Sequence, residues 1–228
     1  MEKGVSLVEL IIALACSSVL LLALYQFHRV AANTHAQIRQ EWYCMQSLRQ
    51  ACIRLNTDMS QCAFLLPQDL KVATEGGRLF IAGVPVTSEN PGLRLSKTDP
   101  APYYSLVNSS SSSDAVLDTI DIDNDGHADF WAGLGILTDC GPCLISHSYS
   151  RGFTRVPMTC WKFPPKGARA VPAVCYELKK DGLYRNNELL AEAVVYFNPR
   201  ISGPDLSIDM RSSYHGTQKE LSLSYHLQ

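Results

Sequence analysis

Two hydrophobic periods meet in the first third of the chain. Between Leu7 and Leu24 every position is apolar or small, with the single exception of the carboxylate Glu9. A run of that kind, about 20 residues at ~1.5 Å per residue, reaches across a bilayer. Farther on, Ile38, Trp42, Met45, Leu48, Cys52, Leu55, Met59 and Cys62 recur at steps of three and four, the stripe of an amphipathic helix. Arg39, Glu41, Arg49, Gln50 and Arg54 take the opposite side. No glycine or proline interrupts the chain from Val5 to Leu66, and the first breaker is Pro67. The pattern predicts one helix of about 60 residues, ~90 Å long. Its membrane part falls at 5–27 and its outer part at 28–66.

From residue 67 onward the period shortens to that of strands, so the fold class is α+β, with a long N-terminal helix followed by a β-rich globular region at 67–228. Arg78–Ala82 and Val84–Thr87 read as a first hairpin around Gly83. Pro85, Pro91, Pro100 and Pro102 mark a loop, and the run Asn108–Asp114, NSSSSSD, a solvated one. Ala115–Ile120 and Phe130–Ile136 are short, apolar and bounded by turn residues. Ala173–Lys179, Gly182–Arg185 and Glu188–Phe197 form an antiparallel meander turned at Lys180-Asp181-Gly182 and at Asn186-Asn187. Leu206, Ile208 and Met210 alternate with polar neighbours, as do Leu221, Leu223, Tyr225 and Leu227, so each set gives a strand with one buried face.

Charge and cysteine content narrow the setting. A net charge of −2 over 228 residues gives no electrostatic footprint for nucleic acid. Of eight cysteines, Cys16 lies in the apolar run and the rest beyond it. Behind an export anchor they read as disulfides of an oxidising compartment, with Cys52, Cys62, Cys140, Cys143, Cys160 and Cys175 as candidates. Cys44 and Cys52 stand ~12 Å apart along one helix, too far to bridge. Cys44 also lies off the centre of the apolar stripe, which makes it the candidate for an unpaired thiol.

Glu9 is the position that needs an explanation, because a carboxylate inside a span is costly and by default functional. Cleavage after Gly4 would leave a charged amine on Val5 and make Glu9 the fifth residue. The segment Gly4-Val5-Ser6-Leu7-Val8-Glu9-Leu10 resembles the processing site of type IV prepilins and type II secretion pseudopilins, with Val5 where that family usually has Phe. The resemblance implies that residues 1–4 are a leader removed by a prepilin peptidase and that the new terminus is N-methylated. It also implies that Glu9 attracts the terminal amine of a neighbouring subunit, and that the outer half of the helix packs on an antiparallel sheet. The chain would then be a single-pass inner-membrane protein with a periplasmic domain, passing later into a pilus, with other minor and major pilins as partners. A secretory signal peptide leaves Glu9 unexplained and lacks a small-x-small site before Gln26. A lipoprotein at Cys16 would turn polar where Val19–Leu24 stays apolar, and a plain anchor also leaves Glu9 unexplained. Within the family, Leu55, Asp58 and Met59 resemble the helix end of PilW-type minor pilins. Gly182–Phe197 resembles the PilW and GspJ groups, in which a Leu-Tyr-Arg strand precedes a Leu-x-Glu-x-Val strand. These resemblances imply a minor pilin that starts or caps a type IV pilus, with a GspJ-type minor pseudopilin as the alternative.

Two further motifs carry chemistry. In Asp121–Asp129, DIDNDGHAD, the side chains of Asp121, Asp123, Asp125 and Asp129 and the carbonyl of His127 have the spacing of a Ca²⁺ loop, with Gly126 at the sharp turn. Ala132 stands where an EF-hand has Glu, and the flanks read as strands, so the loop instead resembles those of integrin-like repeats. A bare Asp/Asn-rich turn is the simpler reading, but its four carboxylates would repel one another without a cation. Cys140-Gly141-Pro142-Cys143 has the thioredoxin tetrad without the helix that would lower the first thiol's pKa. A structural turn with bridged cysteines fits it better, and a zinc site from Cys140, Cys143, Cys160 and Cys175 is a further use of the same residues. No Ser/His/Asp arrangement or phosphate loop has supporting context, so the chain is expected to act by assembly and not as an enzyme. An anchored thiol oxidoreductase and a calcium-dependent adhesin are the rivals from other classes.

Overall fold

The structure, a computed structural model, describes residues 7–62, 66, 70–83, 105–110, 114–117, 130–131, 133–146 and 155–227. Among the described residues one helix, α1 (Leu7–Ser60), leads into thirteen strands. They are β1 (Val72–Glu75), β2 (Arg78–Ala82), β3 (Ser105–Ser110), β4 (Asp114–Leu117), β5 (Gly135–Thr138), β6 (Gly141–Ile145) and β7 (Arg155–Cys160), followed by β8 (Arg169–Lys179), β9 (Gly182–Arg185), β10 (Glu188–Glu192), β11 (Val194–Ser202), β12 (Asp205–Tyr214) and β13 (Thr217–His226). The α+β arrangement read from the sequence is the one found, with a long apolar N-terminal helix followed by antiparallel sheets.

α1 runs for 54 residues, ~81 Å at the helical rise. It stops at Ser60, short of the expected Leu66. Near its end Thr57 Oγ1 donates to the Ile53 carbonyl at 2.8 Å and Ser60 Oγ to the Thr57 carbonyl at 2.7 Å. These side chains compete for the last helical carbonyls. The Cys62 amide then bonds to Met59, a tighter turn, and the Cys62 thiol reaches the Lys71 carbonyl at 3.4 Å.

The buried face of the helix follows the expected stripe at Leu48, Leu55, Met59 and Cys62 and departs from it toward the membrane half. Cys44, Ser47, Leu48, Ala51, Leu55 and Asp58 are buried. Ile38, Trp42 and Met45 face outward, Trp42 with 64% of its surface exposed. The two faces lie side by side at the same period, so counting apolar residues favoured the one with the larger side chains. The small Ser47 and Ala51 let the sheet approach the backbone, and Ser212 Oγ donates to the Cys44 carbonyl at 3.1 Å. Cys44 therefore lies at the seat of the helix and not at its margin.

β8 is the strand that the other β elements share. Its first half pairs with β3 on one side and β5 on the other; its second half pairs with β2 and β9. Since β3 pairs with β4, β4 with β7, β7 with β6 and β6 with β5, the pairing closes on itself through β8 as a small barrel. Val107, Leu117, Phe130, Ile136, Ile145 and Val156 belong to the cluster that fills it. The other half of the sheet is buried on both faces. Leu79, Ile81, Val174 and Tyr176 face α1, while Phe80, Ala82, Ala173 and Cys175 lie in a separate cluster behind. That double burial explains why β2 and β8 read as unbroken apolar runs. The three-stranded sheet β11-β12-β13 completes the seat, with Leu206, Ile208 and Met210 pointing at the helix.

Several expected boundaries move. β2 pairs with β1 across Gly76-Gly77 and with β8 on its other side, so both edges are taken and no hairpin turns at Gly83. Residues 84–87 lie outside the described residues. Asn108–Ser110 belong to β3, where Ser109 and Ser110 face Val116 and Ala115 across the ladder. Of the described residues in Phe130–Ile136, Gly135 and Ile136 alone are strand. Gly133, at φ 86°, turns the chain, and the Leu134 amide closes the turn on the Trp131 carbonyl at 3.1 Å. A side chain at Gly133 would meet the Asn186 carbonyl oxygen at 3.0 Å. Glu188–Phe197 divides at Ala193, which sits at φ 59° and sends β10 and β11 to different sheets.

Candidate functional site

The functional element is α1 itself, and its two halves meet different surroundings. The window that could cross a membrane has a mean hydropathy of 2.6 and is wholly unburied by the rest of the chain. Glu9 lies in the first turn of the helix. Gly4 and Val5, the expected processing site, lie outside the described residues. Polar contacts with the β region begin at Gln40, which accepts from Thr217 Oγ1 at 3.2 Å. Beyond it Glu41 pairs with Lys219 at 3.2 Å, the Tyr43 hydroxyl bonds to Glu192, and the Tyr225 hydroxyl donates to Asn56 at 2.6 Å. The Glu192 contact raises the Tyr43 pKa, because it favours the protonated phenol.

At the far end the helix is fixed by a buried charge cluster. Asp58 is 5% exposed and points into the core. Arg185 grips it through two parallel bonds, Nε to Oδ2 at 2.7 Å and Nη2 to Oδ1 at 2.9 Å. The Tyr176 hydroxyl donates to the same Oδ2 at 2.5 Å. Burial pushes the Tyr176 phenol well up, and the Asp58 charge adds to it, so Tyr176 stays a donor. For Arg185 burial alone works against the cation, but the hydrogen bond and charge of Asp58 outweigh it and leave its pKa raised. The hairpin explains why Arg185 lands there. Asn186 and Asn187 both adopt positive φ, the two-residue turn that suits a twisted hairpin. Asn186 clasps Cys175, accepting from its amide through Oδ1 and donating its own amide to the Cys175 carbonyl, both at 2.8 Å. That register sets Arg185 opposite Tyr176.

Both halves of this cluster are visible in the sequence, but 127 positions separate them and no local signal joins them. Asp58 stood in the Leu55-Asp58-Met59 match and Arg185 in the Leu-Tyr-Arg match. A carboxylate among the apolar positions of a helix was itself the signal that a partner had to come from elsewhere.

The cysteines divide in a way spacing did not reveal. Cys143 and Cys160 are joined across β6 and β7, where they face each other in register. Cys44, Cys52, Cys62, Cys140 and Cys175 are free thiols. The tetrad Cys140-Gly141-Pro142-Cys143 therefore holds no dithiol pair, and it enters a strand, not a helix. The bridge also takes two ligands from the four-cysteine zinc set. Cys175 packs in the cluster behind β8, away from the barrel interior that holds Cys143. Burial pushes the Cys62 thiol up to about 11 and the Cys175 thiol up to about 12, so neither is an activated nucleophile. Among the described residues no group of three or more His, Cys, Asp or Glu side chains is placed to hold a metal. The Asp121, Asp123, Asp125, His127 and Asp129 set lies outside the described residues. Leu117 and Phe130, on either side of it, are both buried in the barrel cluster.

Residues 1–25 match a family model described as the prokaryotic N-terminal methylation motif. The motif indicates a type IV pilin-like prepilin, which implies peptidase processing and contact with other pilins. With the apolar helix behind it, the motif fits a membrane-anchored chain. No curated protein and no solved structure matches the chain.

Arg185→Met would leave the buried Asp58 carboxylate with the Tyr176 hydroxyl and the looser, part-exposed Arg54 guanidinium at 3.9 Å. The expected loss is about 3–5 kcal/mol, the cost of breaking a buried pair from one side. Adding Asp58→Leu should recover part of it, so the two substitutions together cost less than the sum of the singles. Urea unfolding of the full chain in detergent measures all three variants; additive losses would show that the pair is not coupled.

Proposed function

We propose that this chain is a minor pilin that helps to initiate or cap a type IV pilus at the inner membrane, acting by assembly without chemical turnover. The observation that carries the reading is the methylation motif at residues 1–25 running into one uninterrupted helix. The first half of that helix is free of its own chain, and the second half is bolted to a β domain. A helix free over so long an apolar stretch offers its surface to lipid or to the helices of other subunits. The PilW-type reading draws support from the Asp58–Arg185 pair, which joins the two segments that resemble that group. A minor pseudopilin of type II secretion is the second reading, favoured by the resemblance of Gly182–Phe197 to the GspJ group.

Two outcomes test this. Intact mass of the membrane-extracted protein should show a chain that begins at Val5, methylated on its amine; a chain retaining Met1, or one lipidated at Cys16, would overturn processing after Gly4. The proposed role of Glu9 is to draw in the amine of a neighbour, since a carboxylate in an apolar span is rare, costly and by default functional. Glu9→Lys should therefore weaken co-purification with partner pilins and leave the β domain folded. Unchanged co-purification and piliation would rule this role out. Partners from a pilus or from a secretion apparatus would separate the two readings.

A calcium-dependent role rests on Asp121–Asp129. The proposed ligands are the side chains of Asp121, Asp123, Asp125 and Asp129 with the His127 carbonyl, in a loop rooted at both ends in the barrel core. Ca²⁺ affinity is expected at ~10⁻⁴–10⁻³ M, the range of extracellular sites. Binding to the folded state alone raises stability by ~2.7 kcal/mol at a hundredfold excess over Kd. Asp123→Ala with Asp125→Ala should remove the calcium-induced rise in Tm while leaving the calcium-free Tm in place. An unchanged Tm in EDTA, with no heat on titration, would reduce the loop to a turn.

A further inference from the structure

β13 is a terminal strand of the three-stranded sheet in the helix seat. It pairs with β12 from end to end without a register shift, and no described residue pairs with its other side. The two-residue turn His215-Gly216, both at positive φ, makes Tyr214 and Thr217 the hydrogen-bonded pair beside it. Alternation from there gives the peptide groups of Thr217, Lys219, Leu221, Leu223 and Tyr225 to β12. It turns the N–H and C=O groups of Gln218, Glu220, Ser222, Ser224 and His226 outward. Proteins ordinarily blunt such an edge with proline, a bulge or outward lysines. β13 has no proline or glycine, and Lys219 turns inward to Glu41.

A groove of about 740 Å³ lies beside the edge, lined by Trp42, Met45, Arg49 and Ile53 of α1 and by Glu220 and Leu221 of β13. Helix and strand run side by side in the same direction, with Gln40 bonded to Thr217 at one end and Asn56 to Tyr225 at the other. The helical segment rises ~24 Å and the strand segment ~27 Å, so a strand added to β13 would cover this flank along its whole length. Trp42, Met45 and Ile53 are exposed there as an apolar floor. Arg49 stands among them with no ion pair among the described residues.

We propose that the open edge of β13 and this groove form a docking site for an extended strand of a different protein chain, with apolar residues at alternate positions and a carboxylate set against Arg49. Edge peptide groups in a row accept only another extended backbone, and the uncompensated guanidinium selects an acidic side chain. A second copy of this chain does not fit. Antiparallel pairing of two β13 strands would reverse the copy's α1 and point its apolar span away from the membrane that holds the first. Parallel pairing would turn the copy's polar face, Gln218 to His226, onto Trp42, Met45 and Ile53. The inference does not depend on whether the chain serves a pilus or a secretion apparatus.

The test uses the full chain in detergent micelles and a labelled synthetic peptide, Thr-Val-Thr-Glu-Thr-Val-Thr-Val-Thr. The expected result is saturable binding with slowed hydrogen exchange at the amides of Gln218, Glu220, Ser222, Ser224 and His226. Ser224→Pro removes an outward donor without touching a bond to β12, and should weaken binding about tenfold or more. Arg49→Glu should weaken it as much, and a peptide with Lys in place of Glu should regain the loss. The Arg49 pair keeps the test valid even if Ser224→Pro fails to fold. Absence of saturable binding at about 1 mM peptide, binding that leaves the edge amides unprotected, or failure of the charge exchange would each overturn the proposal. Ready disulfide dimerisation of a Ser222→Cys variant would overturn it in favour of self-pairing.

Discussion

A carboxylate in a protein core has to be answered by donors, and Asp58 is answered by a bidentate guanidinium and a phenol from two neighbouring strands. The geometry of the rest follows from that contact. It fixes the end of α1 against β8 and β9, it sets the rotation of the helix about its axis, and it requires the Asn186-Asn187 turn to present Arg185 in one register. Replacing such a pair by apolar residues can be neutral in stability. What the pair adds is that only one arrangement of helix and sheet satisfies it, since any rotation of α1 would strand a charge.

The same helix carries a second carboxylate, Glu9, near its other end. Asp58 is satisfied inside the chain, and Glu9, on the reading proposed, is satisfied between chains. The Asp58 end is packed against strands of both sheets, whereas the apolar window is unburied by the rest of the chain. One rigid rod then links an association signal in the membrane to a domain outside it. Nothing between the two ends has to change shape for assembly to position the domain.

β8 does the corresponding work among the strands. Its eleven residues serve the barrel at one end and the helix seat at the other. The Cys143–Cys160 bridge lies within the barrel, far in sequence from the helix seat, so it staples the part of the domain that the helix does not hold. The remaining thiols are dispersed over the helix, the sheet and a turn, and burial pushes those of Cys62 and Cys175 up.

The sequence alone determined the long helix, its membrane-compatible half, the strand-rich remainder and most of the C-terminal meander. Each of these rests on a local signal: an apolar run, a two-residue alternation, or a turn pair such as Asn186-Asn187. The processing signature was equally local, and the motif match covers the same residues. The expected stripe met the core at Leu48, Leu55, Met59 and Cys62, but its first half, Ile38, Trp42 and Met45, faces outward while Cys44, Ser47 and Ala51 are buried, because the sheet approaches the helix through Ser212 and the Cys44 carbonyl. The disulfide partners depended on β6 and β7 lying in register. Closure of the barrel depended on β8 accepting strands on both edges, and the Asp58–Arg185 pair spans 127 positions of sequence. Pairings over such distances are decided by packing and by the need to satisfy buried polar groups, and no window of neighbouring residues contains either.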